Sequence, residues 1–547
     1  PLTMDGGTLR WEPGNTQDIS TVIAMVNGKT ATFDTNGNDV VFTAGIGSTS
    51  TAALVKAGAG NLALAGTGTW SGGVEIREGS LVANTNGAFG GNTITLGTTA
   101  QDAAVIVANR SDIPNAITVS AAGTGAVTIG ANNTGAGQNA ASITGVITLN
   151  RPTTLFGGVT DDRLALDGRI TGNVGTLTVT GGSRTTLSSI LNDFTGNIVI
   201  TGAGSVLQAS VASDAGVIPD ATHITIDAGA VFQTASTTAT TETVGGISGS
   251  GQIRPYKDAF PGNVFGTSIA IGGGDQDGDF SGVITNGNGT LSVTKTGTGS
   301  QVLRGFNTYT GDTVVEAGEL KLADDAALTF RVTNTTRNTL TGAGSVILDG
   351  NFAIDVSAVT ATTGSWQLEN ADSLPGAYGS SFQVVTPGGD PWTDAGSNKW
   401  KYASGNLEFT FDEATGTLTV QLAGFASWIS KAEYGLAPAD QDPTDDPDND
   451  GVNNLVEYAI DGRNPAVADG APGSFASGIL SFTKRTEAAA DPKISYQIQE
   501  SDDLGLTDLW AEAPAGPDYT NNATTISYKL PDGKAKIFAR LVVTQAP

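Results

Sequence analysis

The densest set of hard oxygen donors in the 547-residue chain is Asp446-Pro-Asp448-Asn-Asp450-Gly451-Val452-Asn-Asn454-Leu-Val-Glu457. Its spacing satisfies D-x-[DN]-x-[DN]-G-x5-E, the pattern of a loop that wraps a divalent cation. Ca2+ takes roughly six to eight oxygens at about 2.3–2.6 Å, so carboxylates at alternate loop positions can enclose it while a glycine makes the sharp turn. The spacing predicts Asp446, Asp448 and Asp450 as ligands, Gly451 as the turn, and the Val452 carbonyl as a further donor. Asn454 acts directly or through water, and Glu457 closes the site. Asn453 departs from the pattern, because that position is often apolar. Asp442 and Asp445 are candidates for a second ion or for completing the first. The competing reading is a solvated acidic linker, but six aspartates between positions 440 and 450 would then repel one another without compensation.

Other candidate chemistry is thin. The chain has no Cys and a single His, His223, which removes thiolate catalysis, disulfides and Cys- or His-pair metal sites and leaves a Ser–His–Asp triad without support. His223 reads as a corner or surface residue. Gly274-Asp-Gln-Asp277-Gly-Asp279 invites a second calcium reading, but Asp-Gly is ordinary turn chemistry and a polar corner is preferred. The glycine spacings around Gly58 and Gly202 lack the βαβ context of a dinucleotide site. With 54 acidic and 27 basic residues the net charge is −27, and no basic patch stands apart to hold a nucleic acid. No apolar run is long enough for a membrane-spanning helix. The start at Pro1, without a basic-plus-apolar leader, predicts a processed chain from which any export signal it had is gone.

The elements that must position these residues are strands. Glycine, at 75 residues, is about twice its usual share, and charged residues are 15% where ~25% is ordinary. To about Ala423 the sequence repeats short alternating runs such as Val40-Val-Phe-Thr, Ala104-Val-Ile-Val, Ala126-Val-Thr-Ile, Leu320-Lys-Leu and Thr417-Leu-Thr-Val, bounded by Gly, Asn, Asp or Ser. The stretch is too long and too uniform for one sandwich or barrel, so a solenoid with glycine corners is expected. At roughly 20–25 residues per coil and about 4.8 Å of rise, this predicts ~17–20 coils and a length of ~80–100 Å.

An internal repeat supports the solenoid. Val55-Lys-Ala-Gly-Ala-Gly-Asn-Leu-Ala-Leu-Ala-Gly through Trp70-Ser-Gly and Glu78-Gly-Ser-Leu aligns without gaps to Thr294-Lys-Thr-Gly-Thr-Gly through Tyr309-Thr-Gly and Ala317-Gly-Glu-Leu. Lys56/Lys295, Gly58/Gly297, Gly60/Gly299, Leu64/Leu303, Gly66/Gly305, Gly72/Gly311, Gly79/Gly318 and Leu81/Leu320 coincide. The lysines are expected at exposed coil positions. Trp70 and Tyr309 are expected to cover a coil corner, with sugar stacking the alternative. This pattern resembles the autotransporter-associated (passenger-associated) β-strand repeat of secreted bacterial proteins. The resemblance implies a right-handed parallel β-helix displayed outside the cell. Members typically end in a membrane β-barrel with a terminal aromatic, whereas this chain ends Val543-Thr-Gln-Ala-Pro, which implies a passenger without its own translocator.

At Gly424 the texture changes. Phe425, Trp428, Ile429 and Ala432 fall on one face of an amphipathic helix, and Asn453-Asn-Leu-Val-Glu-Tyr-Ala-Ile reads as a second short helix. The aspartate run between them also resembles thrombospondin type 3 and EF-hand calcium segments. Alternating strands return from about Phe475, enough for a small β-sandwich. The expected organisation is therefore all-β: a parallel β-helix over 1–423, a calcium-binding helix-loop-helix linker over 424–470, and a C-terminal sandwich over 471–547. The expected function is an extracellular or cell-surface bacterial structural protein that self-assembles into a layer or filament, with Ca2+ locking the C-terminal joint. The alternatives are a glycan- or host-binding adhesin and, with less support, a polysaccharide lyase or glycosidase. Paired carboxylates recurring on adjacent coils would mark the latter, and none is evident.

Overall fold

The computed structural model describes residues 2–47, 50–91, 93–108, 111–132, 141–159, 163–211, 216–236, 240–256, 267–287, 289–371, 377–533 and 536–546. They form two compact units: Pro1–Val359 with Gln367–Pro391 and Glu413–Gly416, and Thr360–Trp366 with Trp392–Asp412 and Thr417–Pro547.

The first unit is a parallel β-solenoid. Its longest sheet has 14 strands, and shorter parallel sheets of eight, eight, six and four strands form the other faces of the coils. Strands carry a buried–outward–buried pattern, as in Ile94–Leu96, Ile117–Val119 and Ile147–Leu149. The period of two therefore sends one face of every strand inward. Because the strands pair in parallel register, like residues stack. Leu81, Val105, Ile129, Leu155, Val179, Ile200 and Ile226 form one continuous buried ladder in the 14-stranded sheet. Fully burying each such side chain contributes on the order of 1.5–3 kcal/mol, and this repeating apolar column is what holds the coils together.

The coils are fewer than the sequence estimate but keep its spacing, as from Val105 to Ile129 and from Leu155 to Val179, with one longer turn from Gly249 to Phe280. The parallel ladder of the first unit reaches Gln383–Val385. Strands Thr393–Asp394, Lys399–Ser404, Leu407–Asp412 and Thr417–Leu422 are antiparallel and belong to the second unit. Short-range alternation is the same for both pairings, so Thr417-Leu-Thr-Val could not reveal its partner's direction.

The repeat lysines are not exposed. Lys56 and Lys295 are 0% and 1% exposed. The Lys56 ammonium donates to the carbonyls of Ala57, Gly58 and Glu78 at 2.9, 2.6 and 3.1 Å. The Lys295 ammonium does the same to Thr296, Gly297 and Ala317 at 2.5, 3.0 and 3.4 Å. Each lysine uses its three donors to satisfy carbonyls from its own turn and from the next coil. Burial lowers the Lys56 pKa to about 8. The same geometry explains the downstream glycine. At Gly79 and Gly318, with φ of +68° and +66°, a Cβ would lie 2.9 and 2.8 Å from the lysine Nζ and 2.4 and 2.3 Å from the carbonyl oxygens of Gly60 and Gly299. Other repeat glycines are required by proximity alone: a Cβ on Gly305 would meet the Gly282 carbonyl oxygen at 1.9 Å without any positive φ.

In the second unit the three helices and the C-terminal strands share an apolar core. Helices α1 (Gly424–Ile429), α2 (Asn454–Ala459) and α3 (Thr486–Ala490) contribute Phe425, Trp428, Leu455, Tyr458 and Ala488. Two antiparallel sheets, built around Ile479–Thr483 with Thr525–Lys529 and around Ile494–Ser501 with Phe538–Gln545, contribute Phe482, Ile494, Ile498 and Ile526. The segment read as a linker thus supplies part of the same core as the C-terminal strands. Helix α1 is shorter than its apolar spacing predicts: it stops at Ile429, and Ala432 is exposed.

Candidate metal centre

The loop entering α2 folds around its own carboxylates. Asp446 accepts from the backbone N–H of Asp450 at 3.2 Å and of Gly451 at 3.0 Å; Asp448 accepts from Asp450 N–H at 3.1 Å, and Asp450 from Val452 N–H at 2.9 Å. Positive φ at Asn449 (60°) and Gly451 (89°) makes the curl possible. The result is that ligand oxygens of Asp446, Asp448 and Asp450 all lie within 4.8 Å of one another. Three like charges this close repel strongly, and a cation among them reverses the sign of the interaction.

Helix α2 starts where the Asn453 side chain accepts from Val456 N–H at 3.0 Å, an N-cap that fixes the first turn. That turn carries Glu457 inward. Glu457 is 0% exposed, and neither carboxylate oxygen has a hydrogen-bond partner. Burial, reinforced by Asp448, Asp450, Asp469 and Asp446, pushes its pKa up to about 8. A buried carboxylate with both oxygens unsatisfied is costly, and the negative field of the aspartates reaches it, although the group of three mutually close carboxylates does not include it. Asp448 has one oxygen in the same condition, and its carboxyl is also raised by burial and by its acidic neighbours.

The remaining predicted ligands divide. Val452 is buried beside the loop. Asn454 is buried and turns its amide N–H groups toward the carbonyls of Asp440 and Asp442 at 3.0 and 2.9 Å, with its side-chain oxygen unpartnered. It therefore ties the start of the acidic run to the helix. Asp442 and Asp445 are not drawn into the three-aspartate group; the Asp445 carboxylate accepts from Asp442 N–H at 3.0 Å and closes a local turn. One contributor was invisible in the motif. The backbone N–H groups of Asp469 and Gly470 donate to the second oxygen of Asp450 at 3.2 and 3.1 Å, so residues 463–470 wrap the loop from outside. No spacing rule marks Asp469, because tertiary folding brings it there.

The other candidates have structural employment. Asp275 and Asp277 accept from Thr298 and Ser300 N–H on the next coil, both at 2.7 Å, and Asp279 pairs with Arg304. His223 is half-buried against the Ser248 hydroxyl at 3.0 Å, and burial lowers its pKa. Trp70 and Tyr309 are buried, and the Tyr309 hydroxyl meets that of Thr313 at 2.6 Å, so neither offers a ring face to a sugar. No helix of the described residues is long and apolar enough to cross a membrane.

Comparison with known proteins bears on the solenoid. Residues 54–83 and 293–322 match the passenger-associated-transport-repeat family. The chain carries two such repeats on a β-solenoid. The matched segments contain both buried lysines, their partner glycines and Trp70 or Tyr309. No curated protein and no solved structure matches the chain.

Proposed function

We propose that this is a passenger-like, extracellular or surface-displayed bacterial protein whose role is structural rather than catalytic. Its solenoid is the load-carrying part, and its C-terminal unit is stabilised by Ca2+. The observation that carries the calcium reading is Glu457, buried with two unsatisfied oxygens in the field of the mutually close Asp446, Asp448 and Asp450. Hard carboxylate oxygens at these loop positions favour Ca2+ over softer ions. The passenger reading rests on the two matched repeats in one continuous parallel sheet. Parallel sheets end in strands with unpaired edges, which favours association of copies into a layer or filament.

The test is calcium binding and assembly measured together on the full chain. Isothermal titration with Ca2+ is expected to show saturable binding that Asp450→Asn and Glu457→Gln weaken strongly. Absence of binding to the wild-type chain overturns the calcium reading. Electron microscopy with and without a chelator is expected to show associated particles, and monodisperse single particles under every condition overturn self-assembly.

A further inference from the structure

The second unit contains a cleft of about 510 Å³ that the metal reading does not use. This volume lies within the range of pockets that hold small molecules, about 300–1,000 Å³. Its wall includes Gly424, Tyr458, Glu487, Asp491 and Lys493. Tyr458 is 1% exposed, and its hydroxyl has no hydrogen-bond partner.

Gly424 leaves a notch between two polar groups. A Cβ at this position would lie 2.6 Å from Asp491 Oδ2 and 3.8 Å from the Tyr458 hydroxyl. The other Asp491 oxygen already accepts from Lys493 N–H at 2.9 Å, which fixes the carboxylate. A group that fills the notch must donate a proton to Asp491 and accept one from Tyr458. An alcohol hydroxyl does both at once, whereas an ammonium only donates and a carboxylate only accepts. The acidic and basic groups of the lining balance, with Glu408, Glu487 and Asp491 against Lys431, Arg485 and Lys493, so neither an anion nor a cation is favoured.

We propose that this cleft binds a neutral sugar unit, one of whose hydroxyls bridges Tyr458 and Asp491 in the notch left by Gly424. This goes beyond the structural role and locates any glycan contact on the C-terminal unit, not on the solenoid, where the repeat aromatics are buried.

Saturation-transfer NMR on the full chain in calcium buffer tests it with methyl glycosides of neutral hexoses and N-acetylhexosamines, their disaccharides, and glucuronate. At least one neutral sugar is expected to bind. Asp491→Asn, which removes a charged acceptor, is expected to weaken that binding about tenfold, and Tyr458→Phe, which removes a neutral donor, about fivefold. Gly424→Ala fills the notch and is expected to abolish it. Because a positive φ at Gly424 makes that variant prone to misfold, Tyr458→Phe, which removes one oxygen and leaves the ring, decides. Three results overturn the proposal: no neutral sugar binds, as when water alone occupies the notch; glucuronate binds better than every neutral sugar; or Tyr458→Phe binds as wild type. Calcium titration of the same samples separates each of these from failure of the metal site.

Discussion

At the scale of residues, the most informative side chains are charged groups buried where the sequence pattern is least polar. Lys295 holds three carbonyls, and replacing it with Met leaves them without donors in the interior. The expected cost is about 2–4 kcal/mol, read as a lower denaturant midpoint of the solenoid. Gly318→Ala places a Cβ against both Nζ and a carbonyl at positive φ, and a loss of about 2 kcal/mol or more is expected in the same assay. Glu242 gives a pH test. It is 0% exposed, accepts from the N–H groups of Val217 and Ile218, and burial raises its pKa from 4.5 to about 7. The folded state therefore holds the proton more tightly than the unfolded one. Its contribution is greatest below about pH 4.5 and is lost as pH rises through about 7. The solenoid's thermal midpoint is expected to fall across that interval by the equivalent of up to about 3 kcal/mol, and Glu242→Gln is expected to flatten the slope. A slope unchanged in the variant assigns the pH dependence to other groups.

At the scale of elements, the loop and α2 act as one device. The loop gathers three carboxylates by local turns, and the N-capped helix aims a fourth from its buried face. Helix α2 has only six residues, too short to be stable by itself, so its order depends on the core and on whatever neutralises Glu457. Chelation is expected to lower the thermal midpoint of the second unit. At saturating calcium the stabilisation is RT ln(1 + [L]/Kd), about 4 kcal/mol at a thousandfold excess over Kd. An unchanged midpoint would remove the structural role. In the solenoid the comparable element is the stacked ladder, where Leu155→Ala is expected to cost about 2–5 kcal/mol because neighbouring coils cannot close on the cavity.

At the scale of the whole molecule, the chain divides into two compact units of different chemistry. Calorimetry is expected to resolve two transitions, of which only the smaller, from the second unit, moves with calcium. A single transition that shifts as a whole would show that the units unfold together. The net charge of −27 is unevenly distributed, with ten acidic and two basic residues between 424 and 470. Bound cations would reduce that local repulsion, so salt is expected to substitute partly for calcium in stabilising the second unit and to leave the solenoid little changed.

The period-two strands, the glycine-punctuated coils, the in-register repeat and the order of the loop carboxylates are legible along the chain, because each depends on neighbours within a few residues or one coil. What lies farther apart is set by folding. Whether Thr417-Leu-Thr-Val pairs parallel or antiparallel depends on a partner strand that alternation does not encode. Lys56 is buried because carbonyls from two coils converge on it, although a lysine flanked by glycines reads as a surface residue. Asp469 reaches Asp450 only through the fold. The notch at Gly424 exists because Asp491 and Tyr458, remote in the chain, meet where a side chain is missing.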